Sequence, residues 1–165
     1  MDTELEKSIK EAVKVIGRRE FSKFEIKEFL LKKGFAHQII DETIDYLILK
    51  KWYNETKSAI ELAEGKARKG FYGPEYITKF LSDKQYPQEI AREAVLSVFK
   101  DDEYEYFLAG KTANEKFRRL KRKFIEMNEN RYKIRSTLVN HLMSRGFSEK
   151  ICEDVADKII DTETC

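Results

Sequence analysis

Residues that could catalyse a reaction or bind a metal are few in this sequence and lie far apart. The two histidines are His37 and His141, and the two cysteines are Cys152 and Cys165. A zinc site needs several such ligands at short spacing, and neither Cys-x-x-Cys nor His-Glu-x-x-His occurs. A hydrolase would need a nucleophile held against a histidine and an orienting carboxylate, and no spacing indicates that arrangement. We therefore predict a protein that is not an enzyme, with no catalytic residues, no metal and no cofactor.

The chemistry that the chain does offer is positive charge, concentrated in one segment. Residues 106–135 carry ten basic and three acidic residues, although the whole chain has 32 Lys and Arg against 30 Asp and Glu. Such a density of like charge repels itself, so an anionic partner is a physical explanation for it. We define the basic stripe as the candidate binding residues Arg118, Arg119, Lys121, Arg122, Lys123, Arg131, Lys133 and Arg135.

Other interpretations of these cations stay open. The stripe would also fit a solvated face whose charges pair within the chain, for example with the acidic cluster Asp101, Asp102, Glu103 and Glu105. A second basic patch, which we define as Lys66, Arg68 and Lys69, is a weaker candidate. Cations at that position also complement the dipole of a helix end, by about 0.3–1 kcal/mol each. Phosphates and acidic protein surfaces would both suit the stripe.

Three stretches of similar sequence position these residues. Each stretch has an apolar residue, two bulky residues, a short break, an aromatic residue and a second apolar series. The aromatic residues, Phe35, Tyr86 and Phe147, are 51 and 61 residues apart and are predicted to lie in the core. Apolar residues at i, i+3 and i+4 on both sides of each break indicate a pair of amphipathic helices. The sequence therefore contains an internal repeat.

The breaks carry residues that end one helix and begin the next. Gly34 and Gly146 predict a left-handed backbone at the helix end, where glycine has no steric penalty. Gln85 replaces glycine in the middle stretch, so this stop is predicted to be slightly strained or to use another geometry. Pro87 suits the first turn of the following helix, and Ser148 suits an N-cap.

A longer helix is predicted before each pair, over residues 4–17, 57–70 and 107–128. Two capping boxes, Ser22–Glu25 and Thr112–Glu115, indicate helix starts. Pro74 after Gly73 suits the first turn of a helix.

The simplest fold is all-α, with three tandem three-helix repeats over residues 1–53, 54–105 and 106–165 in an elongated, curved array. No run of eighteen or more apolar residues is present, which predicts no membrane contact through a spanning helix. With only two cysteines and no visible secretory signal, we expect a cytoplasmic protein, and we expect a monomer.

The remaining candidates are interpreted as packing residues. His141 takes the repeat position that Phe29 and Phe80 hold, and Cys152 falls at a core position. Trp52 and Tyr53 could stack on bases of a single strand, but their place at a joint between repeats favours packing.

The order and spacing of these motifs resemble the RecX family, bacterial regulators of the RecA recombinase. The resemblance runs from about Phe21 to Ile160. It is carried by Lys33-Gly34-Phe35, by Arg145-Gly146-Phe147, by Trp52-Tyr53-Asn54-Glu55 followed by Ala59, and by Arg68-Lys69-Gly70-Phe71-Tyr72-Gly73-Pro74. Lys51 stands where the family's joint usually has glycine, and Gln85-Tyr86 stands in place of Lys-Gly-Ile.

The resemblance implies a function that composition does not show. RecX-like proteins bind the RecA–single-stranded DNA filament, lie along its helical groove and suppress ATPase activity, strand exchange and filament growth. This chain would accordingly modulate DNA repair and the SOS response, with single-stranded DNA contacted through the basic stripe. The alternative is a helical-repeat nucleic-acid-binding or adaptor module unrelated to RecA.

Overall fold

The structure is a computed structural model that describes residues 3–124 and 131–162, with the backbone alone for residues 121–124. All regular structure in these ranges is α-helical, which confirms the predicted all-α class. The described helices are α1 (Glu4–Ile16), α2 (Lys23–Lys32), α3 (His37–Leu49), α4 (Glu55–Gly70), α5 (Pro74–Asp83), α6 (Gln88–Val98), α7 (Asp102–Phe124), α8 (Arg131–Ser144) and α9 (Glu149–Thr162). The predicted end of the third long helix at residue 128 lies outside the described residues.

The three breaks between paired helices share one backbone geometry. Gly34, Gln85 and Gly146 have positive φ values of 89°, 61° and 78°. These values confirm the left-handed stops predicted for the two glycines, and Gln85 takes the same geometry. In every break the amide of the aromatic residue donates to a carbonyl five residues earlier. These bonds join Phe35 to Leu30, Tyr86 to Leu81 and Phe147 to Leu142, at 3.2, 3.1 and 3.3 Å. The same local fold thus recurs at the spacing of the sequence repeat.

The start of α2 has the predicted capping box. The Ser22 hydroxyl accepts from the amide of Glu25 at 3.1 Å, and the Glu25 carboxylate accepts from the amide of Ser22 at 3.0 Å. Two of the amides that a helix start leaves without partners are therefore satisfied. The prediction for Pro74 is also confirmed, because α5 begins at that residue.

The capping box predicted at Thr112–Glu115 is wrong. Thr112 lies inside α7, where its hydroxyl donates to the carbonyl of Leu108 at 2.9 Å. The helix begins ten residues earlier, at Asp102, and the Asp101 carboxylate accepts from the amide of Tyr104 at 3.2 Å. Threonine commonly makes this hydrogen bond inside helices. Thr112 and Glu115 therefore match the capping motif although no helix starts there.

The chain forms two compact units. Unit 1 contains Met1–Ala63 and Phe80–Ala94, and unit 2 contains Glu64–Lys79 and Val95–Cys165. The predicted repeat boundaries do not coincide with those of the units, and the division into three repeats stays a prediction. Among the described helices, none is long and apolar enough to cross a membrane.

Unit 1 combines an apolar core with a small network of buried hydroxyl groups. The carbonyl of Phe21 accepts from the Tyr53 hydroxyl at 3.1 Å and from the Ser58 hydroxyl at 3.0 Å. The Ser58 oxygen lies 2.8 Å from the Tyr86 hydroxyl. Burial raises the pKa of Tyr86 to about 12, so this phenol keeps its proton. The apolar core consists of Ala12, Val15, Phe21, Ile26, Leu30, Ile40, Ile44, Leu47 and Tyr53.

Unit 2 depends on a close backbone contact between Gly73 and the break after α8. The amide of Gly73 donates to the carbonyl of Arg145 at 2.8 Å, and the amide of Glu75 donates to the carbonyl of Gly146 at 3.0 Å. A Cβ atom on Gly73 would lie 2.3 Å from the Gly146 oxygen. Glycine at residue 73 thus lets the start of α5 bond directly to the break between α8 and α9.

Candidate functional site

The α7 part of the basic stripe presents two described arginines to solvent. Arg118 is exposed and makes no ion pair within the described part of the chain, whereas Arg119 donates to Glu115 at 2.5 Å. The predicted residues Lys121, Arg122 and Lys123 follow on the same helix, and their side chains lie outside the described residues. Among the α7 residues of the stripe whose side chains are described, Arg118 is therefore best placed to meet an external anion.

The α8 part of the stripe is engaged with carboxylates of α9. Arg131 pairs with Asp161, and Arg135 holds both carboxylate oxygens of Asp157 at 2.6 and 2.9 Å. The hydrogen bond from Arg135 is the main cause that lowers the pKa of Asp157. An outside anion would have to compete with these carboxylates or use the guanidinium N–H groups that the ion pairs leave over. Lys133 lies between them and is exposed.

The acidic cluster that offered an alternative explanation for the stripe has other contacts. Asp101 caps the start of α7, as described above, and Glu105 accepts from the amide of Ser148 at 2.7 Å. Both arginines of α8 instead use α9 carboxylates. Internal pairing of the stripe therefore exists, although its described partners differ from those that the sequence suggested.

His141 lies in a positive electrostatic environment. The residue is half-buried on α8, as its predicted packing role requires. Burial lowers the pKa of its imidazole below the usual 6.5, and the charges of Lys116, Arg145 and Arg119 lower it further, with only Glu115 opposing. Cations from α7 and from the break after α8 thus act on one imidazole. Their fields add, so an anion near His141 would be stabilised by several charges together.

The second basic patch lies at the end of α4, beside two stacked tyrosines. The rings of Tyr72 and Tyr76 are parallel within 11°, with their centroids 3.8 Å apart. The ammonium group of Lys66 lies 5.7 Å from the centre of the Tyr72 ring. Arg68 and Lys69 are exposed in the last turn, where their charges complement the helix dipole.

Arg145 belongs to this second patch in space, and sequence reasoning missed it. Its guanidinium carbon lies 4.8 Å from the centre of the Tyr72 ring, and one of its amino groups donates to the carbonyl of Gly70 at 2.9 Å. In the sequence, Arg145 stands out only as part of the Arg-Gly-Phe break, and that motif indicates a helix end. Nothing local indicated a contact with residues more than seventy positions away.

Two of the residues predicted to pack, Cys152 and Tyr53, are buried, whereas Trp52 is not. Cys152 is fully buried, and burial raises the pKa of its thiol to about 12. Tyr53 is buried, as predicted, while Trp52 is 54% exposed and meets Tyr46 edge-on at 5.8 Å. Cys165 lies outside the described residues. No group of three or more potential metal ligands occurs in the ranges 3–124 and 131–162.

These features together define a class of protein: paired helices joined by left-handed stops, with cationic side chains on the helix surfaces. The sequence profile described as "RecX, first three-helix domain" matches residues 10–47. The "Regulatory protein RecX" of Thermotoga petrophila is 26% identical over 153 residues, which cover 93% of this chain and 84% of the relative. The protein of the same name from Chlorobium limicola is 30% identical over 95 residues, or 58% of this chain and 59% of the relative.

A solved structure has the same fold. The crystal structure of RecX from Lactobacillus salivarius aligns with a TM-score of 0.82 at 19% identity, over 96% of this chain and 97% of that one. The profile match and the relatives agree with this likeness. The chain is thus similar to RecX proteins over most of its length, and these relatives are named as regulatory proteins.

Proposed function

We propose that this protein binds the RecA–single-stranded DNA filament and inhibits RecA ATPase and recombinase activity, acting as a monomer in the cytoplasm without catalysis of its own. The resemblance to the RecX family implies this role, and the similarity to proteins named as regulatory supports it. Occupation of the filament would slow its growth and its ATP turnover. The protein would thereby modulate DNA repair and the SOS response.

The observation that carries this proposal is the similarity to the RecX protein of Thermotoga petrophila over 93% of this chain. Positive charge around His141 supports it further. Lys116 and Arg119 come from α7 and Arg145 comes from the break after α8, and all three lower the pKa of the same imidazole. Arg118 is exposed on α7 without an internal ion pair among the described residues. These charges support a binding surface for an anion, either DNA phosphate or carboxylates of RecA.

The ion pairs of α8 suggest an order of importance within the stripe. Arg131 and Arg135 are paired with Asp161 and Asp157, so an anion that binds them competes with a carboxylate that is already in place. Exchange of one exposed ion pair for another gains little free energy, since such pairs are worth about 0–1 kcal/mol. We therefore propose that α7 contributes more to binding than α8 does.

The direct test is RecA-dependent ATP hydrolysis on single-stranded DNA, with this protein added below the RecA concentration. The proposal predicts reduced turnover, because each bound molecule would affect more than one RecA subunit. Unchanged turnover would instead support a helical-repeat nucleic-acid-binding or adaptor module unrelated to RecA.

Charge reversal tests the role of α7. The triple variant Arg118→Glu, Arg122→Glu and Lys123→Glu should lose at least tenfold in inhibitory potency while keeping its melting curve. A matched control reverses three exposed cations of unit 1, Lys7, Arg18 and Arg92, which make no ion pair among the described residues. Both variants change the net charge by the same amount. Equal loss of potency in both would show that total charge, and not the stripe, governs binding.

A further inference from the structure

An open groove in unit 2 runs between α7 and α9, and the function proposed above does not use it. Its volume is about 420 Å³, and most of its exposed lining is apolar. The groove extends over two turns of each helix, with residues four apart on α7 and three or four apart on α9. The lining residues are Tyr106, Phe107, Gly110, Lys111, Asn114, Val155, Lys158, Ile159 and Thr162.

Gly110 leaves the α7 side of this groove open. It lies in the interior of a helix of 23 residues, where glycine is less favourable than alanine. No atom lies within 4 Å of the position that its Cβ would take, so packing within the unit does not require glycine there. The absence of a side chain instead lets another backbone approach α7 closely.

The walls of the groove are apolar side chains at the surface. Phe107 is 53% exposed and lies on the α7 side of the groove. Val155 and Ile159 form an aliphatic floor from α9 and are themselves largely buried. A partner that covered this groove would remove apolar surface from water, which favours binding.

Two lysines border the groove and give it a charge preference. The Lys111 ammonium group lies 4.5 Å from the centre of the Phe107 ring, and the Lys158 ammonium group lies 5.9 Å from that of Tyr106. Neither lysine pairs with a carboxylate among the residues that the structure describes. An occupant with acidic residues beside its apolar face would supply the missing counter-charges.

We propose that this groove binds an acidic amphipathic helix of a protein partner. Leucine-like side chains of that helix would cover Phe107 above the floor of Val155 and Ile159, and its backbone would approach Gly110. Its carboxylates would pair with Lys111 and Lys158. Single-stranded nucleic acid fits less well, because the lysines lie over the ring faces on which bases would stack.

The experiment uses the full chain, labelled with ¹⁵N, and two synthetic helical peptides of 18 residues. Both peptides have leucine at i, i+3, i+4 and i+7, and they carry either glutamate or lysine at the flanking positions. The acidic peptide should shift the amide resonances of Phe107, Gly110 and Ile159, and it should bind at least tenfold more tightly than the basic peptide. The double variant Lys111→Glu and Lys158→Glu should reverse this preference.

A pair of glycine variants tests the groove itself. Gly110→Leu fills the open position and should weaken the acidic peptide at least tenfold. Gly65→Leu is the matched control, because Gly65 also lies inside a helix with no atom within 4 Å of its Cβ position, but outside the groove. The control should bind as the unchanged protein does, and thermal melting checks that both variants fold.

Several outcomes would overturn the proposal. One is the absence of resonance shifts at the groove with the acidic peptide; another is equal affinity for the basic peptide. If oligo-dT shifted the same resonances and competed with the peptide, the occupant would be nucleic acid. If dilution of the protein alone shifted them, the occupant would be a second copy of this chain.

Discussion

At the scale of single residues, Gln85 has a backbone conformation that suits glycine better. Its φ is 61°, whereas Gly34 and Gly146 serve the same purpose in the other two breaks. A side chain in this left-handed region costs roughly 1–2 kcal/mol. Gln85→Gly should therefore stabilise the protein by about 0.5–1 kcal/mol, after allowance for the greater flexibility of glycine in the unfolded chain. Urea denaturation measures the change.

The reverse substitution provides the control for Gln85. Gly34 has a φ of 89°, and no atom lies within 4 Å of its Cβ position, so only backbone strain opposes a side chain there. Gly34→Gln should destabilise by about 1–2 kcal/mol. Equal stability of both variants and the unchanged protein would show that these breaks tolerate any residue.

His141 should make stability depend on pH. Burial and the neighbouring cations lower its pKa in the folded state. The unfolded chain therefore takes up a proton first as the pH falls, and the free energy of unfolding decreases below the usual pKa of about 6.5. His141→Phe should reduce this decrease between pH 7.5 and pH 5.5, as measured by urea denaturation at each pH.

The same imidazole should report binding at the stripe. An anion near Lys116 and Arg119 opposes their charges, so the pKa of His141 should rise toward its usual value when the protein is saturated with its partner. Proton NMR titration of the imidazole with and without oligo-dT follows this change. A pKa that stayed constant on saturation would place the bound anion away from these cations.

At the scale of helices, α7 supplies a cap for α9. Glu105 is 7% exposed, and its carboxylate accepts from the amide of Ser148, just before α9 begins. Hydrogen bonds that involve a charged group contribute about 1.5–3 kcal/mol. Glu105→Ala should lower the free energy of unfolding by that amount, because the amide at the start of α9 loses its acceptor.

Glu103→Ala is the control for the α9 cap. Glu103 is exposed in the same first turn of α7, so both substitutions remove one carboxylate from the same helix end. The control should change stability by less than about 1 kcal/mol, the value of a charge beside a helix dipole. Similar losses in the two variants would mean that the dipole, and not the bond to Ser148, is responsible.

The helices are the part of this fold that the sequence predicts well. Apolar spacing locates α1 and α4, and Gly34 and Gly146 mark the breaks after α2 and α8, because these signals act within a few residues. The capping box predicted at Thr112–Glu115 was wrong because a four-residue motif carries no information about the helix that precedes it.

The candidate site is less predictable from the sequence than the helices are. Arg145 on Tyr72 and Arg135 on Asp157 join residues from different helices, and no local pattern encodes such pairs.

At the scale of the whole molecule, a small net charge conceals a strong local one. The chain is +2 overall, yet residues 106–135 hold ten basic and three acidic residues. If the stripe binds DNA phosphates, affinity for oligo-dT should fall between about 50 and 200 mM salt, with a log–log slope of about −0.7 per phosphate. Fluorescence anisotropy gives this slope.

The triple variant of α7 should flatten the salt dependence by about 2 in slope, because three phosphate contacts are lost. Reversal of Lys7, Arg18 and Arg92 should leave the slope unchanged. A slope that stayed the same in the α7 variant would indicate that other cations contact the strand. The second basic patch and Arg145 would then be the next candidates for these contacts.

The bond from Gly73 to Arg145 has a consequence for synthesis of the chain. The amides at the start of α5 leave the ribosome 72 residues before their acceptors do. At translation rates of about 5–20 residues per second, they wait roughly 4–14 s with water as their only partner. The nascent polypeptide can thus complete this part of the molecule only when its last helices emerge.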